Sequence, residues 1–251
     1  MGQTLTLSVW RGAADGAYQT FEVPWRENQT VLDAVTYVQR TLDPTLSYRF
    51  ACRVGMCGSC AMTVNGVARW TCRTHVNKVV QNGQVEIAPL HNLPVIKDLV
   101  ADLAPFFDKW VAAGGRFAGE EGSEASATGR GDGANGTEGF AQVAPDDADR
   151  RAASAGIECI GCAICYASCD VVAWNPAYLG PAALNRAWTL VNDVRDTERA
   201  ERLDAVTSER GCLSCHSLQS CTERCPMHLD PAGSIAGLKR LAAKRAFGGG
   251  P

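Results

Sequence analysis

No stretch of this chain is apolar for long enough to cross a bilayer. The longest weakly charged segment, Cys159 to Asn185, carries charge only at Asp170, but it also holds four cysteines together with Pro176 and Pro181. That composition suits a ligand-bearing loop, whereas a span needs about 20 consecutive apolar residues. A basic segment followed by an apolar one is missing from Met1 to Trp10, so no secretory leader is expected. Net charge is small as well. The 24 basic and 27 acidic residues leave −3, which argues against a broad footprint for nucleic acid.

What the chain has in quantity is cysteine, twelve in 251 residues. Disulfide scaffolds are usually much shorter, so a reducing compartment is expected, with the thiols used as metal ligands. Eleven of the twelve fall into three groups. Cys52, Cys57, Cys60 and Cys72 are spaced C-x4-C-x2-C-x11-C. Cys159, Cys162, Cys165 and Cys169 are spaced C-x2-C-x2-C-x3-C. Cys215, Cys221 and Cys225 repeat the second spacing with Leu218 in place of one cysteine, and Pro226 follows.

The segments around these groups differ in kind. Leu5, Leu7 and Val9 alternate with polar residues as in a half-buried strand, and Phe21 and Val23 read as its hairpin partner. Thr30 is placed to cap a helix whose buried face holds Val31, Leu32, Val35, Val38 and Leu42, ended by Asp43-Pro44. Asn65-Gly66 between two short strand-like runs predicts a type I′ hairpin, and Gln84 to Ala88 a last strand. The spacing predicts a connecting helix over Val95 to Ala112. Gly114 to Gly139 holds nine of the 25 glycines, with Phe117 its one large apolar residue, and reads as a linker too poor in apolar surface to offset its ordering entropy. Beyond it, Pro181 to Val191, Asp196 to Val206 and Pro231 to Phe247 have helical spacing, with Asp230 and Pro231 as N-cap and first helical residue, and the cysteine runs are expected in the loops between them. The domains expected are 1–105, a linking segment 106–145, and 146–251.

Four thiolates spaced as in the first group match a plant-type 2Fe–2S ferredoxin. Gly55 and Gly58 would let the loop wrap closely and aim N–H groups at the sulfurs. A structural zinc site is the alternative, although zinc usually sits between two short knuckles. In two-cluster ferredoxins the fourth cysteine of each run crosses to the other cluster. That rule gives Cys159, Cys162, Cys165 and Cys225 to a 4Fe–4S cluster. It leaves Cys169, Cys215 and Cys221 for a second site, where three thiolates and Leu218 fit a 3Fe–4S cluster. Cys212 reads as a spare buried thiol, or else as a fourth ligand at that second site. Three motifs read as chance: Gly131 to Gly136 (G-x-G-x-x-G without a preceding strand), Arg130-Gly131-Asp132, and Met1-Gly2 with Thr6. The cluster Lys239, Arg240, Lys244 and Arg245 reads as a solvated helix face, or else as one that meets anionic lipid.

Taken together, these residues resemble the iron–sulfur subunit of succinate dehydrogenase and fumarate reductase. The resemblance runs through Arg49-Phe-Ala-Cys-Arg-Val-Gly-Met-Cys-Gly-Ser-Cys60, Leu93-Pro-Val-Ile-Lys-Asp-Leu99 and Glu158-Cys-Ile-Gly-Cys-Ala-Ile-Cys165. It continues through Trp174-Asn-Pro176, Gly180-Pro-Ala182, Arg195-Asp-Thr197, Cys215-His-Ser217 and Cys225-Pro226. It implies an α+β chain, an N-terminal β-grasp ferredoxin-like domain followed by an all-α two-cluster ferredoxin domain. It implies a partner flavoprotein carrying FAD, a membrane-anchor subunit and a quinone, with Trp174 and His216 near the quinone. It also implies peripheral attachment, through the anchor, to the cytoplasmic face of a bacterial inner membrane. Asp170 and Ala173 depart from the family pattern, which usually has proline and an aromatic residue there. An iron–sulfur subunit of another flavin-linked dehydrogenase, of the glycerol-3-phosphate or thiol:fumarate type, is the second expectation.

Overall fold

The computed structural model describes residues 4–119 and 146–248. The glycine-rich motif at Gly131, the Arg130 triplet, most of the expected linker and Met1-Gly2 lie outside the described residues.

Alternation of Leu5, Leu7 and Val9 produces strand β1, Thr4–Arg11, whose antiparallel partner β2, Ala17–Pro24, sets Leu7 opposite Phe21. Helix α1, Val31–Tyr37, starts at Thr30, which accepts a hydrogen bond from Asp33 N–H while Asp33 answers the Thr30 N–H. The last turn, Val38–Leu42, widens to π-helical pitch before Asp43. The widening swings Leu42 outward, so it is exposed and does not share the buried face with Val38. Strands β3, Ala61–Val64, and β4, Val67–Trp70, form the expected hairpin, with Asn65 and Gly66 both at positive φ. Strand β5, Gln84–Ala88, enters parallel to β1 and closes the sheet order β2-β1-β5-β3-β4. One face packs Leu5, Leu7, Val85 and Ile87 against Val31 and Val35 of α1 in a dedicated core.

The connecting segment corrects the sequence expectation. Val95–Lys97 and Val100–Ala101 pair as short strands β6 and β7, and the helix α2 covers only Ala104–Ala112. Asp98 between the strands explains the break. It has φ +52 and a buried carboxylate that accepts from Gly12 N–H and Ser47 N–H, both at 2.8 Å, so the chain turns there to satisfy it. Asp102 then accepts from Ala104 N–H at 2.9 Å and starts α2.

The second half is helical among the described residues. The order is α3 (Ala148–Ile157), α4 (Ile164–Ala167), α5 (Asp170–Trp174), α6 (Pro181–Val191), α7 (Arg199–Val206), α8 (Ser220–Glu223) and α9 (Pro231–Ala246). Asp147 and Asp230 cap α3 and α9. Helix α7 begins three residues later than its spacing predicts. Asp196 turns inward instead, and its carboxylate takes two bonds from buried Arg202 at 2.9 and 2.6 Å. The expected linker also begins as docked chain: Gly114 O accepts from Arg202, Gly115 O from Arg186 Nε at 3.0 Å, and Ala118 N–H donates to Asp196 at 3.1 Å. The two halves share a core. Leu90, Leu93 and Ala101 from the first pack with Phe106 of α2 and with Tyr166, Leu184 and Leu203 of the second.

Candidate functional site

Each cysteine group sits where the backbone repeatedly turns left-handed. In the first loop Arg53 has φ +60, Gly55 φ +79 and Gly58 φ +72. In the second run Gly161 and Ala163 have φ +63 and +61, and in the third Ser217 and Gln219 have φ +57 and +63. The last two pairs stand at equivalent places in their runs, and each is followed by one helical turn, α4 or α8. Alternating hands make successive N–H groups converge on one side, a concavity suited to negative charge. Cys165 and Cys221 therefore ride on short helices and Cys169 precedes α5, where the sequence expectation had put them in loops.

The first group is assembled around β3 and β4. Cys52 Sγ accepts from Val54 N–H at 3.5 Å and Met56 N–H at 3.3 Å, Cys57 Sγ from Cys52 N–H at 3.5 Å, and Cys60 Sγ from Cys72 N–H at 3.5 Å. Hydrogen bonding by the Cys52 amide, joined by Ser59, draws the Cys57 thiol down to about 6. Burial pushes the Cys72 thiol up to about 12. Cys60 and Cys72 are buried beside Leu32, while Val54 and Met56 at the loop tip are exposed.

The other two groups interleave. Cys159, Cys162, Cys165 and Cys225 line one cleft, closed by Phe106 and Pro226. Cys169, Cys215 and Cys221 line a second, with Leu218, Tyr178 and His216. The last cysteine of each run has thus joined the other run's cleft. Burial pushes the Cys162 thiol up to about 12 and the Cys221 thiol up to about 11, and raises the Cys165 thiol well above its usual range. Such thiols give up their protons only to a metal that replaces them. Among the described residues no three Cys, His, Asp or Glu side chains close on a point that a single ion could occupy. Four sulfurs around one cleft and three around the next suit sulfide-bridged groups of several irons. Cys212 is fully buried in the shared core, opens a 3-10 turn, and does not line the second cleft.

Sequence reasoning gave Gly58 the role of wrapping its own loop. The structure adds a second reason. A Cβ there would lie 2.6 Å from Cys162 Cβ, so Gly58 is where the first loop touches the second run. Cys57, Gly58, Ser59 and Cys162 line one cleft between the halves. Asn92 was missed altogether. Its side-chain amide donates to three carbonyls of the ligand-bearing turn, Tyr166 at 3.1 Å, Ala167 at 3.3 Å and Cys169 at 3.1 Å. An asparagine at positive φ in a polar turn gives no sequence signal for such a role. Trp174 is 64% exposed and its ring meets His216 edge-on at 5.9 Å. Lys239 is not simply solvated, because its ammonium donates to Cys215 O at 2.6 Å. Arg245 pairs with Asp204 at 2.8 Å.

Residues 6–108 match a family described as a 2Fe-2S iron-sulfur cluster binding domain, and residues 158–230 one described as a 4Fe-4S dicluster domain. The fumarate reductase iron-sulfur subunit of Mycobacterium tuberculosis is 35% identical over 97% of this chain and 94% of its own length. The succinate dehydrogenase iron-sulfur subunit of Paracoccus denitrificans is 35% identical over 86% of this chain and 77% of its own. Among solved structures, a chain of the Mycobacterium smegmatis Sdh1 complex in the apo form superposes with a TM-score of 0.84 at 26% identity, covering 98% of both chains.

Proposed function

Because the chain belongs to the iron–sulfur subunits of succinate dehydrogenase and fumarate reductase, we propose which of its residues hold each relay centre. The protein is an electron-transfer subunit of a succinate:quinone oxidoreductase. When bound, its iron–sulfur clusters carry single electrons between FAD on a partner flavoprotein and a quinone. Cys52, Cys57, Cys60 and Cys72 hold the 2Fe–2S cluster. Cys159, Cys162, Cys165 and Cys225 hold the 4Fe–4S cluster. Cys169, Cys215 and Cys221 hold a 3Fe–4S cluster, with Leu218 where a fourth thiolate would stand.

The observation that carries this reading is the exchange of Cys169 and Cys225 between the two clefts. It pairs four sulfurs with one cleft and three with the other. The described residues before α2 then form a β-grasp domain, α2 and the docked chain after it form the connection, and the described residues from 146 onward form an all-α ferredoxin domain. No described helix is long and apolar enough to cross a membrane, so attachment to the cytoplasmic face of a bacterial inner membrane falls to an anchor subunit. Exposed Val54 and Met56 mark the face for the flavoprotein. Exposed Trp174, with His216 against it and Leu213 and Leu218 nearby in sequence, marks the face for quinone and anchor.

The complex purified without oxygen is expected to contain about nine irons in this chain, and its oxidised form to show a three-iron EPR signal. Leu218→Cys is expected to abolish that signal and add one iron. A four-iron second centre in the unmodified chain would refute the ligand assignment. Trp174→Ala and His216→Ala are expected to lower quinone reduction at least tenfold, while succinate oxidation with a soluble dye persists. Equal loss with both acceptors would remove these residues from the quinone site.

A further inference from the structure

Helix α9 outruns the body it packs on. Ile235 and Leu238 bury its inner face, but from Ala243 to Gly248 every residue is exposed. Phe247 still continues the helix, since its N–H closes a turn on Ala243 O at 3.1 Å. Arg240, Lys244 and Phe247 follow one another at four and three residues, so they share one face, and that face lies opposite Leu238. All three are exposed, Phe247 to 90%.

The other basic residues of α9 are spent within the protein, Lys239 on Cys215 O and Arg245 on Asp204. Arg240 and Lys244 form no ion pair among the described residues, and α9 has no acidic residue of its own. The helix dipole accounts for cations in a last turn, but not for a bare phenylalanine beside them. The helix also runs beside the turn Cys212–Ser214, which exposes Leu213. Its free end therefore continues the face assigned above to quinone and anchor.

We propose that the outer face of the end of α9 binds anionic phospholipid: Arg240 and Lys244 lie against the headgroups, and Phe247 enters the interface between them. The inference deepens the membrane attachment read above and rests on it, adding direct lipid contact to the hold of the anchor subunit. Each cation near an anionic leaflet gains free energy, and an aromatic ring gains more by leaving water for the headgroup level. Neither signal suffices alone, but together they hold a helix end at a surface. The face is convex, with one ring and two long flexible side chains, which suits a fluid surface better than a rigid protein groove.

The test is co-sedimentation of the full chain, purified without oxygen and carrying its clusters, with vesicles of phosphatidylcholine alone or mixed with phosphatidylglycerol. Binding is expected only to the mixed vesicles, and raised salt is expected to release it. Arg240→Gln with Lys244→Gln is expected to weaken it roughly tenfold or more. Phe247→Ser is expected to weaken it while leaving its salt dependence in place. Lys78→Gln with Arg151→Gln removes the same charge from two other exposed positions and is expected to bind as the unmodified chain does. Equal binding to both kinds of vesicle, or equal loss in the two double variants, overturns the proposal. So does an unmodified chain that ignores vesicles but is captured through Arg240 and Lys244 by the detergent-solubilised anchor subunit. A purified chain without iron would instead overturn the relay assignment, which these vesicles do not otherwise test.

Discussion

Charges and strained residues in this chain do structural work that their identities alone do not disclose. Asp196 and Arg202 are both buried and joined by two hydrogen bonds. Removing one partner strands a buried charge, at a cost of about 3–5 kcal/mol. Arg202→Met is therefore expected to destabilise the loaded chain by about 3 kcal/mol, read as a fall in the denaturation midpoint at unchanged slope. In sequence, nothing sets Arg202 apart from the other charges of α7. The cysteines were legible because metal chemistry dictates their spacing, and the caps Thr30 and Asp230 because orphan N–H groups demand an acceptor. Asp98 and Asp196 were not, since nothing local marks a carboxylate whose partners lie far along the chain. Gly58 was half legible. Its positive φ could be read from a tight loop, but its contact with Cys162 belongs to tertiary structure. A methyl group at Gly58 would force the two loops apart, so Gly58→Ala is expected to weaken the magnetic coupling between the first two clusters in EPR and to cost about 1–3 kcal/mol of stability.

Among the elements, those with local signals formed as expected. The strand alternation, the Asn65-Gly66 turn and the apolar face of α6 each follow from a period or a turn residue. The segment Val95–Ala112 did not, because its apolar spacing fits a helix while Asp98 demands a turn that satisfies backbone donors at Gly12 and Ser47. The turn between α4 and α5 depends on a residue outside both. Asn92 spends its two amide protons on three carbonyls there and ties the first half of the chain to Cys169. Asn92→Ala removes these donations; Tyr166 O and Cys169 O keep backbone donors in Cys169 N–H and Val172 N–H, so the cost of about 1–3 kcal/mol falls mainly on Ala167 O. Backbone amides from Tyr166 to Val172 are expected to exchange with deuterium faster in this variant, while those of β1 and β5 keep wild-type rates. Uniform acceleration across both regions would mean that Asn92 acts on global stability alone.

The molecule as a whole combines one core that belongs to the sheet and another that the two halves share. The cysteines assigned to clusters in the second half line clefts next to that shared core, and burial holds the Cys162, Cys165 and Cys221 thiols protonated until metal arrives. Cluster loading must therefore expel protons, and since these thiols titrate above their usual range, loading is favoured as pH rises. A pH-stat experiment during anaerobic reconstitution is expected to record proton release, with loaded protein increasing between neutral and mildly alkaline pH. The contact at Gly58 carries a consequence for speed. An electron leaving the first loop for the second crosses at a point where the halves already touch, with no room for even a methyl group. No hinge has to swing and no surface has to find its mate before the transfer. Internal electron passage through this subunit should accordingly be indifferent to solvent viscosity, and turnover in glycerol or sucrose should slow only through steps that involve diffusing quinone and dicarboxylate.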